Sequence, residues 1–119
     1  MNQKRCLTIQ DYSCMGRCSL TVALPILSAC GIETIGLPTA ILSNHTAFSS
    51  WTYVDLTAEM EKSIDKWKDY DHHFDSFYTG YLNRSDSCCH RYYQKAENKG
   101  FLCHDRSRIR RRRKDVPWI

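Results

Sequence analysis

The stretch RCLTIQDYSCMG (Arg5–Gly16), followed by SLTVALPILSA (Ser19–Ala29) and ETIGLPTAIL (Glu33–Leu42), decides the fold. Arg5 to Gln10 reads as a short strand, ended by the polar turn Asp11-Tyr12-Ser13 and by Gly16. Ser19 to Ala29 is apolar almost all round, the pattern of a helix buried against a sheet. Pro25 inside it costs about 3 kcal/mol in a regular helix interior, so a kink or an irregular first turn is expected. Gly31 is a helix-stop residue, and Glu33 to Leu42 is a second strand interrupted by Gly36 and Pro38.

Working outward, Ser43 to Thr52 reads as a polar loop. Leu56, Met60, Ile64 and Trp67 then fall on one face of an amphipathic helix, with Glu59, Glu61, Lys62, Asp65, Lys66 and Lys68 on the solvated face. Phe74 to Tyr81 makes a third strand. The order β–α–β–α–β, with helices between strands, predicts parallel strands joined by right-handed crossovers. Ligands of such sheets bind outside the carboxyl ends of the strands. That rule places Asp11–Gly16, Ser43–Thr46 and Gly80-Tyr81 along one rim.

Composition bounds the class. With 42% hydrophobic and 12% aromatic residues in 119, the chain has globular composition and excludes wholesale disorder. The start, Met1-Asn2-Gln3-Lys4-Arg5-Cys6, does not read as a signal peptide, and no apolar run approaches a bilayer span, so a cytoplasmic protein without a membrane partner is expected. Seven cysteines is an odd number, unlike a secreted disulfide set. Cys6, Cys14, Cys18 and Cys30 sit in apolar, patterned sequence and read as reduced, small buried hydrophobes.

The charge divides the chain after Leu82. Residues 1–82 hold six Lys/Arg against nine Asp/Glu, net −3, whereas residues 83–119 hold eleven against four, net +7. The tail carries Cys88-Cys89-His90, Cys103-His104 and the basic run Arg110 to Lys114, with little periodic apolar pattern. Adjacent Cys88 and Cys89 strain a shared tetrahedron, so the set is a poor zinc site and no metal ligand is assigned. Arg106 to Lys114 has the charge to neutralise several phosphates but no aromatic platform or recognition helix beside it. A small basic nucleic-acid-binding protein remains the alternative from another class; no specific nucleic-acid partner is expected.

Thr8-Ile9-Gln10-Asp11, the loop at Gly16, Ser43-Asn44-His45-Thr46 followed by Trp51, and Thr79-Gly80-Tyr81-Leu82 resemble the N-terminal part of pyridoxal/pyridoxamine kinases of the ribokinase-like superfamily. The resemblance covers residues 4–82 in order. It implies an α/β fold, the incomplete N-terminal part of a ribokinase-like three-layer sandwich with a mainly parallel sheet. It also implies ATP-dependent phosphorylation of the 5′-hydroxymethyl group of pyridoxal, pyridoxamine or pyridoxine, with Mg2+, in full-length relatives that are homodimeric. Substrate-binding residues carried over are Asp11, Gly16, Ser43, Asn44, His45, Thr46 and Tyr81. In that reading Asp11 approaches the pyridine nitrogen, where many relatives have Ser, and a carboxylate there makes a charge-assisted bond to a protonated ring. Thr46 meets the ring 3-oxygen, His45 and Tyr81 line the pocket, and Gly16 lets backbone approach the ligand. Taken singly, each is also an ordinary turn, loop or half-buried residue. A hydroxymethylpyrimidine kinase-like enzyme shares the fold and is the alternative within the class.

The family's Gly-x-Gly-Asp anion hole and catalytic Asp have no counterpart among Gly16, Gly31, Gly36, Gly80 and Gly100. No catalytic residue is therefore assigned, and neither turnover nor good binding of ATP or Mg2+ is expected of these 119 residues alone. Relatives continue after Gly-Tyr-Leu with an apolar helix, a strand ending Ile-Asp-Pro and a Gly-Asp-rich turn. Read one base forward, codons for residues 103–107 permit Val-Met-Ile-Asp-Pro, and those for the arginine run permit Gly-Asp-Asp-Gly. Residues 1–82 thus read as the substrate-binding part of a B6-vitamer kinase-like domain. Residues 83–119 read as a frameshifted basic tail, mostly disordered or weakly helical, that leaves the third strand with an exposed edge or face.

Overall fold

The computed structural model describes residues 3–67, 70, 73–80 and the backbone of 102–105. The elements are β1 (Arg5–Met15), α1 (Leu20–Ala29), β2 (Glu33–Asn44), β3 (Tyr53–Asp55), α2 (Thr57–Trp67), β4 (Ser76–Thr79) and β5 (Leu102–Asp105). They form one sheet in the order β3-β2-β1-β4-β5. β1 pairs in parallel with β2 and β4, and β4 with β5, while β3 is an antiparallel edge on β2. The expected α/β architecture with a mainly parallel sheet is therefore present.

Strand alternation sends side chains to two faces. Leu7 and Ile9 of β1, Leu37 of β2 and Phe77 of β4 form one buried cluster with Met60 and Ile64, one turn apart on α2. Ile35, Trp67 and Phe74 close its margin, and the Phe74 and Phe77 rings meet edge to face with centroids 5.8 Å apart. On the other face α1 lies over β1 and β2. Gly36 makes room for it: a Cβ there would meet Leu24 Cδ2 at 3.3 Å and Leu20 Cδ2 at 3.7 Å.

Four expectations are corrected. First, Asp11-Tyr12-Ser13 is not a turn, because β1 continues to Met15. Gln10 stands opposite Pro38 and Tyr12 opposite Ile41, so β2 carries one extra residue just after its proline. Beyond that bulge the ladder resumes as far as Asn44, and the long partner keeps β1 extended. Second, the polar 43–52 segment is followed by the short strand β3, invisible as a pattern in three residues. Third, α1 packs on the sheet as expected, but its nearly all-round apolar surface is buried on one face only: Leu20 and Ala23 are buried, and Pro25 and Ile26 are exposed. Its other side has no described element over it. Fourth, of the four N-terminal cysteines only Cys6 is buried; Cys14 and Cys30 are exposed, and all four are free thiols.

α2 starts on an Asx turn, the Asp55 carboxylate accepting the Thr57 amide at 2.8 Å. The edge of β4 is covered, since β5 pairs with it from Ser76↔Leu102 to Thr79↔Asp105. Pairing needs only backbone N–H and C=O groups, which any extended segment supplies. β5 overlaps the 103–107 segment whose shifted codons permit the family's strand. Tyr81 and the rest of the tail, including its cysteine–histidine set and arginine run, lie outside the described residues.

Asp75 pins the start of β4 to β1. Its carboxylate accepts Lys4 Nζ at 2.7 Å and the Arg5 backbone N–H at 2.8 Å. The Lys4 hydrogen bond first, then the Arg5 amide, holds its carboxyl below the usual range, with smaller Coulombic help from Lys4 and His73. A lowered carboxylate value stabilises the fold above the unfolded-state value and loses that effect as pH falls through the folded one. Asp75→Asn is therefore expected to lower stability at neutral pH and to flatten its fall below about pH 4. Urea midpoints measured from pH 7 to pH 3 check this; parallel curves for the two proteins would refute it.

Candidate functional site

The carboxyl ends of β1, β2 and β4 come together, as parallel pairing requires. Two contacts lock them. Gly16, at φ +104°, lies so close to the residue after β2 that a Cβ would stand 2.8 Å from His45 Cβ. The His45 amide donates to Met15 O at 2.8 Å across the same junction. At the other seam the Gly80 amide donates to Ile9 O at 2.9 Å. A Cβ on Gly80 would fall 2.7 Å from Gln10 Cγ. Gln10 is itself buried, its Nε2 donating to Thr8 Oγ1 at 2.8 Å. Glycine at 16 and 80 is thus what lets three strand ends share one rim.

Ser43, Asn44 and His45 shape the loop after β2. Ser43 Oγ donates to Asn44 Oδ1 at 2.6 Å and accepts the Thr52 amide at 2.9 Å. Asn44 Nδ2 donates to Ser50 O at 2.9 Å. His45 Nδ1 accepts the Ala47 amide at 2.9 Å, which leaves Nε2 as the ring's other polar atom. These bonds make the segment a folded platform rather than a loose linker. Thr46 is exposed on it.

Asp11 is 6% exposed and sits behind the rim. Its Oδ2 accepts Ser13 Oγ at 3.1 Å and its Oδ1 accepts Ser19 Oγ at 2.6 Å. Ser19 ends the turn before α1 with φ 53° and ψ −132°, a backbone region that favours glycine, and its side chain makes no cap bond to the helix. A depression of about 450 Å³ opens between α1 and the sheet beside this group. Its walls include Gln10, Arg17, Ser19, Val22 and Tyr78, a mix of polar groups and apolar surface in the size range of small-molecule sites. A second hollow, of about 210 Å³, lies at the opposite end of the strands beside Arg5 and Trp67.

Of the expected site residues, Gly16 and His45 are in direct apposition, with Ser43, Asn44 and Thr46 on the same platform. Gly80 joins them through β4, and Asp11 lies beneath. Gln10, Ser13 and Ser19 were not singled out from sequence. The Ser13 bond was foreseeable, since i and i+2 share a strand face. Ser19 was not, because its reach to Asp11 depends on a positive φ that serine rarely adopts. The described residues contain no group of three or more His, Cys, Asp or Glu side chains placed for a metal ion. No helix among them is long and apolar enough to cross a membrane.

No protein-family model matches the chain, and no curated protein matches it. Solved structures do. A Bacteroides thetaiotaomicron protein assigned as a phosphomethylpyrimidine kinase, crystallised with pyridoxal, is 43% identical with TM-score 0.73, over 79% of this chain and 33% of its own. Pyridoxal kinase from Lactobacillus plantarum is 31% identical with TM-score 0.71, over 82% of this chain and 35% of its own. Pyridoxal kinase from Entamoeba histolytica, at 24% identity and TM-score 0.70, shares the fold over 86% of this chain and 39% of its own. The chain spans between a third and two fifths of the length of these relatives. Its described residues have the fold of the N-terminal part of a pyridoxal kinase-like protein of the ribokinase-like group.

Proposed function

We infer that the chain is the substrate-binding portion of a small-molecule kinase that phosphorylates the hydroxymethyl group of a B6 vitamer. The observation that carries this is the rim where Gly16 meets His45 and Gly80 meets Gln10, beside a depression lined by Ser19 and Tyr78. A planar heterocycle fits such a place, with Asp11 supplying negative charge behind it and His45 and Thr46 on the platform after β2. ATP and Mg2+ belong to the reaction as co-substrate and ion. No described residue is assigned to either, and the 119 residues contain no Gly-x-Gly-Asp segment to cradle the transferring phosphate.

The purified chain is expected to bind pyridoxine saturably in isothermal titration and to show no ATP-dependent formation of the 5′-phosphate. Robust turnover would overturn the reading of an incomplete site, and absence of pyridoxine binding would overturn the substrate. A pyrimidine kinase is the second reading, favoured by the assignment of the Bacteroides relative. In the same titration, displacement of bound pyridoxine by hydroxymethylpyrimidine at lower concentration than by pyridoxal would support it.

A further inference from the structure

We propose that Ser19 is the residue that meets the substrate ring, accepting a hydrogen bond at its Oγ, and that Asp11 acts through it. The proposal rests on the B6-type reading above and assigns a contact within the same site. Ser19 lines the depression; Asp11 does not border it and is almost wholly buried. The Ser19 hydroxyl has one proton, and that proton is committed to Asp11 Oδ1 at 2.6 Å. What the hydroxyl then offers to the depression is its acceptor lone pairs, strengthened because the O–H it donates ends on a carboxylate.

The ligand group that fits is therefore a donor. A protonated ring N–H satisfies it, whereas a ring atom that only accepts would face oxygen with no proton between. Ser13 holds the other carboxylate oxygen at 3.1 Å, so the acceptor is fixed from both sides. The backbone argues the same way. Ser19 keeps φ 53° where glycine would be unstrained, and it makes no cap bond to α1 in return. The side chain thus gives the helix no cap bond; its hydroxyl is held by Asp11 in the lining of the depression.

The test uses the full chain, pyridoxine as the probe, isothermal titration for affinity and thermal unfolding for stability. Ser19→Gly is expected to lower Tm less than Ser19→Ala does, since both lose the bond to the buried Asp11 carboxylate but only glycine relieves the backbone, and to weaken pyridoxine binding about tenfold, the loss of one hydrogen bond. Ser19→Ala is expected to weaken binding equally. Asp11→Asn is expected to weaken binding in the parent chain but to add no further loss in the Ser19→Gly background, because its effect passes through the hydroxyl. Wild-type affinity in Ser19→Gly overturns the proposal. So does a further loss on adding Asp11→Asn to it, which would put the carboxylate itself on the ring. Failure of the parent chain to bind pyridoxine overturns the substrate reading, and this contact with it.

Discussion

Leu7→Ala is expected to destabilise the chain by about 2–5 kcal/mol, enough to abolish a cooperative unfolding transition if the parent is marginally stable. Leu7 has no exposed surface and sits where β1, the middle strand, meets α2. Its neighbours Ile9, Leu37 and Phe77 come from three strands, and Met60 and Ile64 from the helix above. A cavity there is bordered by strands whose ladders hold them in place, so it collapses poorly and the upper part of the range applies. Val54→Ala, on the exposed face of β3, is expected to shift stability by less than about 0.5 kcal/mol. Urea unfolding followed by tryptophan fluorescence checks both. Equal midpoint shifts in the two variants would mean that α2 does not pack as described.

Gly16→Ala is expected to damage the rim through two separable effects. The first is conformational: φ +104° is a region that alanine rarely enters, at a cost of about 1–3 kcal/mol. The second is contact, the new Cβ standing 2.8 Å from His45 Cβ. His45 cannot simply retreat, because its amide is bonded to Met15 O at 2.8 Å and its Nδ1 to the Ala47 amide. Together the two effects are expected to cost about 2–4 kcal/mol and to displace the 43–46 platform from the end of β1. Gly31→Ala isolates the first effect, since Gly31 has φ +77° but nothing within 4 Å of a Cβ. Pyridoxine titration should therefore show binding retained in Gly31→Ala and lost in Gly16→Ala. Retention in both would remove the Gly16–His45 junction from the site.

Much of the fold is legible along the chain because its signals are local. The α2 face is written in Met60 and Ile64, four residues apart, and both are buried as their spacing demands. The parallel arrangement follows from helices standing between strands, and the rim follows from the parallel arrangement. The failures are equally instructive. Asp11, Tyr12 and Ser13 have turn chemistry, yet they lie in β1 because β2 continues beside them past its bulge. α1 packs on the sheet as its apolar pattern predicts, but that pattern does not show that Pro25 and Ile26 face outward. Composition records what a surface tolerates, and only packing records which surface is covered.

The site divides along the same line. The residue types and order of the candidate site (Asp11, Gly16, Ser43 to Thr46, Tyr81) are read from sequence alone, together with the prediction that they meet at one end of a parallel sheet. Tertiary structure decided how they are oriented, and it lined the depression with other residues, Gln10, Arg17, Ser19 and Tyr78 among them. It put Asp11 behind Ser19, turned Ser43, Asn44 and His45 into a bonded platform, and seated Gly16 against His45 and Gly80 against Gln10. The physical reason is that orientation at a rim depends on backbone dihedrals and on contacts between segments distant in sequence. Ser19 reaches Asp11 through one positive φ, and Gly16 touches His45 across 29 residues of chain. Neither leaves a periodic trace in the sequence, since a residue's type limits its dihedrals without choosing its neighbour.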